Sequence, residues 1–68
     1  MDPLTLDIEG MSCEHCVRAV RGALERVEGV RVDQVEIGRA TVQYDPERAS
    51  VEAIVDAVND EGYGASRA

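Results

Sequence analysis

Two cysteines and one histidine lie within four consecutive positions of this 68-residue chain, at Cys13, His15 and Cys16, and it has no others. They belong to the run Gly10-Met11-Ser12-Cys13-Glu14-His15-Cys16-Val17. There a strand-like stretch, Leu4 to Glu9, hands over to a helix-like stretch from about Cys16. With the first cysteine in the loop and the second in the first helical turn, both sulfurs can reach one point. The N–H groups at a helix start are unpaired and carry partial positive charge, which favours thiolate over thiol. A thiolate pair suits Cu(I) or another soft ion better than Ca2+ or Mg2+. The stretch therefore reads as a metal site with Cys13 and Cys16 as ligands. His15 falls between them and is expected to point outward, in a tuning or interface role.

The segments around the loop must hold it. Leu4, Leu6 and Ile8 alternate with Thr5, Asp7 and Glu9, a strand with one buried face. Val17, Val20, Leu24 and Val27 recur at helical steps, with Ala23 widening the stripe, and Gly29 reads as the C′ glycine that stops the helix. Val30 to Ile37 reads as a strand whose apolar parity switches between Val32 and Val35, which a bulge near Asp33-Gln34 would reconcile. Gly38-Arg39 is expected to turn into a return strand of Ala40, Val42 and Tyr44, which Asp45-Pro46 breaks. Ser50 is the N-cap of a second helix that buries Val51, Ile54, Val55 and Val58, and Gly62 ends it. Tyr63 to Ala68 supplies a short last strand. This order predicts an α+β, ferredoxin-like βαββαβ sandwich, an antiparallel sheet with both helices on one face.

The chain is short enough to be one domain, and at this size burial is limited to about 60% of the unfolded surface. A cysteine pair this close constrains little of the chain when oxidised, and a closed structural zinc site normally needs four ligands. Stability must come from packed aliphatics, for there is no Phe or Trp and only two tyrosines. The formal net charge of -7 argues against nucleic acid and against anionic lipid surfaces. No apolar run approaches the roughly 20 residues that span a bilayer, and Met1-Asp2-Pro3-Leu4 lacks signal-peptide character. A cytoplasmic location is expected, where thiols stay reduced and a close pair serves metal or redox chemistry.

The motif resembles that of the heavy-metal-associated domain family, which includes copper chaperones and the N-terminal modules of metal-pumping P-type ATPases. Besides the cysteine loop, the resemblance is carried by Ala23-Leu24, Gly29-Val30, Val42-Gln43-Tyr44-Asp45-Pro46 and Glu61-Gly62-Tyr63, so it covers nearly all of residues 1–68. It implies Cu(I) bound by Cys13 and Cys16, with Met11 a buried prop behind the loop rather than a ligand. It further implies that Tyr63 approaches the site, where its hydroxyl influences thiolate stability and metal release. Ser12 stands where zinc- or cadmium-exporting relatives commonly carry an acid, which favours copper. The middle hairpin departs from the family's valine spacing, and the last strand lacks its usual aliphatics.

The reading that results is a non-enzymatic copper chaperone, monomeric or bridged into a dimer by metal, that passes Cu(I) to a copper-transporting P-type ATPase. A mercury- or zinc-carrying module, an excised ATPase domain and a thiol-disulfide redox protein are the alternatives. Arg18 and Arg21, on the exposed side of the first helix, form a basic patch beside the cysteines, while the second helix shows Glu52, Asp56, Asp60 and Glu61. The two arginines are expected to steer the chain onto an acidic partner surface.

Overall fold

Leu4, Leu6 and Ile8 are buried while Pro3, Asp7 and Glu9 are exposed, the alternation of a strand covered on one side. In the computed structural model, which describes residues 1–68, that strand is β1 (Asp2–Glu9). It is followed by α1 (Glu14–Glu25), β2 (Val30–Glu36), β3 (Arg39–Tyr44), α2 (Val51–Asp60) and β4 (Gly64–Arg67). The strands form one sheet in the order β2-β3-β1-β4, and every pairing is antiparallel. Val20 and Leu24 of α1 and Ile54 and Val58 of α2 join Leu4, Leu6, Ile8, Ala40 and Val42 in a single buried cluster. Both helices therefore cover the same face of the sheet, which is the ferredoxin-like sandwich expected from the element order.

The register slips between Val32 and Gln34, leaving Asp33 as the extra residue. This is the bulge that the valine parity called for. It lets Val32 pair with Val42 and Val35 with Ala40 on the covered side. The turn that follows differs from expectation, because β2 ends at Glu36, Glu36 pairs with Arg39, and the two turn residues are Ile37 and Gly38. Gly38 has φ +88, and a positive φ at the second central position of a tight turn favours glycine. That requirement outweighs the apolar parity of Ile37, which is left 56% exposed.

Three helix details also differ. α1 begins at Glu14, with Cys13 as its N-cap, rather than at Cys16. It ends at Glu25 with Arg26 as C-cap, so Gly29 is not its C′ residue. Gly29 instead turns the chain into β2 at φ +85, where an added Cβ would lie 2.6 Å from the Arg48 Cβ. Val27 lies beyond the helix yet still packs on the core, whereas Val17 is half-buried and stands outside the core cluster. The second helix is capped as expected, the Ser50 hydroxyl accepting from the Ala53 N–H at 3.1 Å. It ends at Asp60, Glu61 is its C-cap, and Gly62 follows at φ +96. No helix is long and apolar enough to cross a membrane.

The antiparallel pairings gather three loops at one end of the sheet. Glu9, the last residue of β1, pairs with Gly64, the first of β4. Asp7 pairs with Arg39, the first of β3, and the Ile8 N–H donates to the Gly38 oxygen at 2.9 Å. The cysteine loop therefore shares its end of the molecule with the Ile37-Gly38 turn and with the loop carrying Tyr63.

Candidate metal-binding site

Cys13 is extended, with φ -158 and ψ 177, and no side chain caps the helix it opens. Its carbonyl accepts from the Cys16 N–H at 3.1 Å and the Val17 N–H at 3.3 Å, which locks the first turn of α1 to the loop. One thiol thus stands just before the helix and the other within its first turn. Cys13 is exposed, Cys16 is half-buried, and both are free thiols.

The loop is braced from behind. Met11 is half-buried against the core, and its Sδ accepts from the Gly38 N–H at 3.4 Å, so the turn before β3 holds the thioether. Tyr63 is half-buried and also packs on the core. Its ring lies over Gly10, where an added Cβ would stand 3.5 Å from Tyr63 Cδ1. Gly10 has φ +94, so a side chain there would meet both backbone strain and the ring.

The electrostatics of the pair are unequal. The Cys16 thiol is lowered from 9.0 to about 7, first by a hydrogen bond from the Tyr63 hydroxyl. The backbone of Ser12 assists, burial opposes, and the backbone and thiol of Cys13 add smaller pulls in the same direction. Tyr63 is raised above its ordinary 10.0 by the same contact, then by burial and by the charges of Cys16, Cys13 and Glu61. Cys16 therefore exchanges its proton near neutrality, as a ligand that competes with protons for a metal must.

That depression gives a testable pH dependence. A thiol whose pKa falls on folding adds stability that is complete above 9.0 and is lost as pH drops through about 7. Reduced, metal-free protein should gain urea resistance across that window, and Tyr63→Phe should flatten the rise. Tyr63 itself titrates only above 10.0, with the opposite sign, outside the window. Urea midpoints measured at both ends of the window check this. An equal slope in Tyr63→Phe would remove the hydroxyl as the cause.

His15 is exposed on the first turn of α1, and no three His, Cys, Asp or Glu side chains are grouped as a ligand set anywhere in the chain. The arrangement offers two sulfurs and an open outer side. Arg18 is exposed and makes no ion pair, whereas Arg21 is bound to Glu25 of its own helix at 3.1 Å. The patch expected from the sequence thus has one unpaired cation and one that is already partnered. Two residues that brace the site had no signal as such in the sequence, Gly38 behind Met11 and Asn59 beside the Tyr63 loop. A turn glycine and a polar residue near a helix end are each explained locally, and only the tertiary fold brings them to the site.

The chain matches the heavy-metal-associated domain family over residues 5–64. It belongs to that family. It is 41% identical over 69 residues to the copper chaperone CopZ of Bacillus subtilis (strain 168), covering 98% of this chain and 100% of that one. Among solved structures, the copper-binding domain of the P-type ATPase HMA7 superposes with a TM-score of 0.96 at 31% identity, covering 100% of this chain and 95% of that one. A CopZ metallochaperone superposes with a TM-score of 0.85 at 40% identity, covering 96% and 100%. The heavy-metal-associated fold is thus present throughout, with Cys13 just before its first helix and Cys16 in that helix's first turn.

Proposed function

We propose that residues 1–68 form a single heavy-metal-associated domain acting as a cytoplasmic copper chaperone. In this reading the Cys13 and Cys16 thiolates hold Cu(I) and pass it by ligand exchange to the metal-binding domain of a copper-transporting P-type ATPase. The observation that carries the reading is the unequal thiol pair, Cys13 exposed and Cys16 half-buried and lowered to about 7, with no third His, Cys, Asp or Glu grouped beside it. The likeness to CopZ and to the copper-binding domain of HMA7 supports copper as the cargo.

Transfer follows from the coordination chemistry. Cu(I) held by two thiolates keeps an open side, so a thiolate of the partner can add before either bond breaks. One of the chain's sulfurs then leaves, a second partner thiolate adds, and the remaining sulfur leaves. The copper stays Cu(I) throughout, and each departing thiolate is exchanged for an arriving one. The exposed Cys13 is the sulfur the partner reaches first, and the half-buried Cys16 leaves last. This is ligand exchange rather than catalysis. Met11 supports the loop from behind, and His15 lies at the contact surface.

An anaerobic Cu(I) titration of reduced protein against a chromophoric chelator, with Zn(II) alongside, tests the proposal. One tightly held Cu(I) per chain with much weaker zinc capture is expected. Failure to compete for Cu(I), together with a disulfide that turns over with thioredoxin, would favour redox chemistry instead.

The unpaired cation beside the site is the proposed steering group. Arg18→Glu should slow transfer to an acidic partner domain by about tenfold at low salt and flatten its salt dependence, the charge there falling by two units with no ion-pair partner to lose. Transfer rates at low and high ionic strength check this, and unchanged kinetics in Arg18→Glu would dismiss the steering role.

A further inference from the structure

The loop that carries Tyr63 is gripped on both sides by one residue. Asn59, at the end of α2, accepts from the Gly62 N–H through its main-chain oxygen at 2.9 Å. Its side-chain Oδ1 accepts from the Ala65 N–H at 3.1 Å. Gly62 directly precedes Tyr63, and Ala65 follows two residues later, opposite Ile8 in the edge strand β4. An edge-strand N–H that turns away from its neighbour needs a partner, and Asn59 supplies it. The Arg26–Glu61 ion pair, at 3.5 Å, touches the same loop; both contacts are exposed, but the ion pair holds only the Glu61 side chain, whereas the Asn59 bond holds the main chain of β4.

We propose that Asn59 is a positioning residue for metal exchange. Through its side-chain bond to Ala65, added to the main-chain bond that any residue at 59 would give Gly62, it holds the Tyr63 ring against Gly10 and the hydroxyl at Cys16, and thereby sets how readily that sulfur releases metal. Asn59 makes no hydrogen bond to either cysteine, so it acts only through Tyr63. The physical link is that a hydroxyl donating to a thiolate withdraws charge from it and weakens its bond to a soft ion. If the clamp is released, the sulfur becomes the stronger donor and holds the metal longer. The inference rests on the copper-carrier reading above.

The test compares Cu(I) release to a chromophoric chelator at about pH 10, above the ordinary thiol value of 9.0 and below the raised value of Tyr63, where protons compete little with the metal. Tyr63→Phe and Asn59→Ala should each slow release by about tenfold to a hundredfold, the size expected for losing one charge-assisted hydrogen bond. The double variant should be no slower than Tyr63→Phe alone. Asn59→Asp, which keeps the acceptor oxygen, should release at nearly the wild-type rate. A wild-type rate in Asn59→Ala, or further slowing in the double variant, would overturn the proposal.

A second readout needs no metal. In reduced protein, the nuclear Overhauser contact between the Tyr63 ring and the Gly10 α-protons should be present in wild type and Asn59→Asp and lost in Asn59→Ala. Its persistence in Asn59→Ala would refute the clamp whatever the metal does. If wild type takes up no Cu(I) while the contact is lost in Asn59→Ala, the carrier reading and the exchange role fall, and the clamp stands.

Discussion

Cys16→Ser and Cys13→Ser are each expected to abolish competitive Cu(I) binding without unfolding the chain. The pair is two thiols with no third His, Cys, Asp or Glu grouped beside them, so removing either leaves a single thiolate. The loss should far exceed the roughly 10–100-fold that follows from losing an outer-sphere partner of a metal ligand. Serine keeps the shape of the side chain, but its hydroxyl does not ionise near neutrality and is a hard donor. Cys13 is exposed and Cys16 half-buried, and neither belongs to the core cluster, so stability below pH 7, where the Cys16 thiolate contributes nothing, should change little in either variant. The two variants should differ in one respect. Cys16→Ser removes the thiol that Tyr63 holds near a pKa of about 7, whereas Cys13→Ser leaves that thiol and its hydroxyl partner in place. Cys13→Ser should therefore retain the faster reaction with a thiol reagent at neutral pH. Chelator competition, thermal unfolding and alkylation kinetics check the three parts. A Cys16→Ser protein that competes for Cu(I) like wild type would end the two-thiolate reading.

Much of this architecture is legible in the sequence because it follows from periodicity. Leu4, Leu6 and Ile8 declare a covered strand, and the valines on either side of Asp33 declare the bulge by changing parity. The Ile37-Gly38 turn shows the limit of that reasoning. Apolar parity extends the strand through Ile37, but a two-residue turn needs its positive φ at Gly38, and backbone geometry takes precedence. Gly29 shows another limit. Following a helical stripe, it reads as a helix stop, yet its positive φ serves the entry to β2 and the close approach of Arg48. Val17 falls on the predicted stripe but stays outside the core, because the helix start is committed to the cysteine loop at the end of the sheet. The cysteine pair itself is fully visible, since the residue types and their spacing are local. What surrounds the pair is not visible from spacing, because the Tyr63 loop, Gly38 and Asn59 come to its end of the molecule only through the pairing of β1 with β3 and β4.

Leu24→Ala should come close to unfolding the metal-free protein. Leu24 has no exposed surface and lies in the nine-residue cluster between the helices and the sheet. Truncating such a leucine costs about 2–5 kcal/mol, since the cavity it leaves is only partly refilled. At roughly 0.05–0.15 kcal/mol per residue, a chain this short has about 3–10 kcal/mol of stability in total. There is no Phe or Trp to take up the lost volume. Val17→Ala, on the same helix but outside the cluster, should cost less than about 1 kcal/mol. The contrast separates core packing from helix propensity, because alanine is the better helix former at both positions. Urea unfolding of the two variants checks it, and equal costs would mean that α1 does not seat Leu24 in the core. The same variant links folding to cargo. A metal that prefers the folded chain restores about 2.7 kcal/mol when free metal is 100-fold above its dissociation constant. Cu(I) should therefore recover most of the lost urea midpoint in Leu24→Ala. It should recover none in a Leu24→Ala chain that also carries Cys16→Ser, because the rescue depends on two sulfurs held at one point by the first turn of α1.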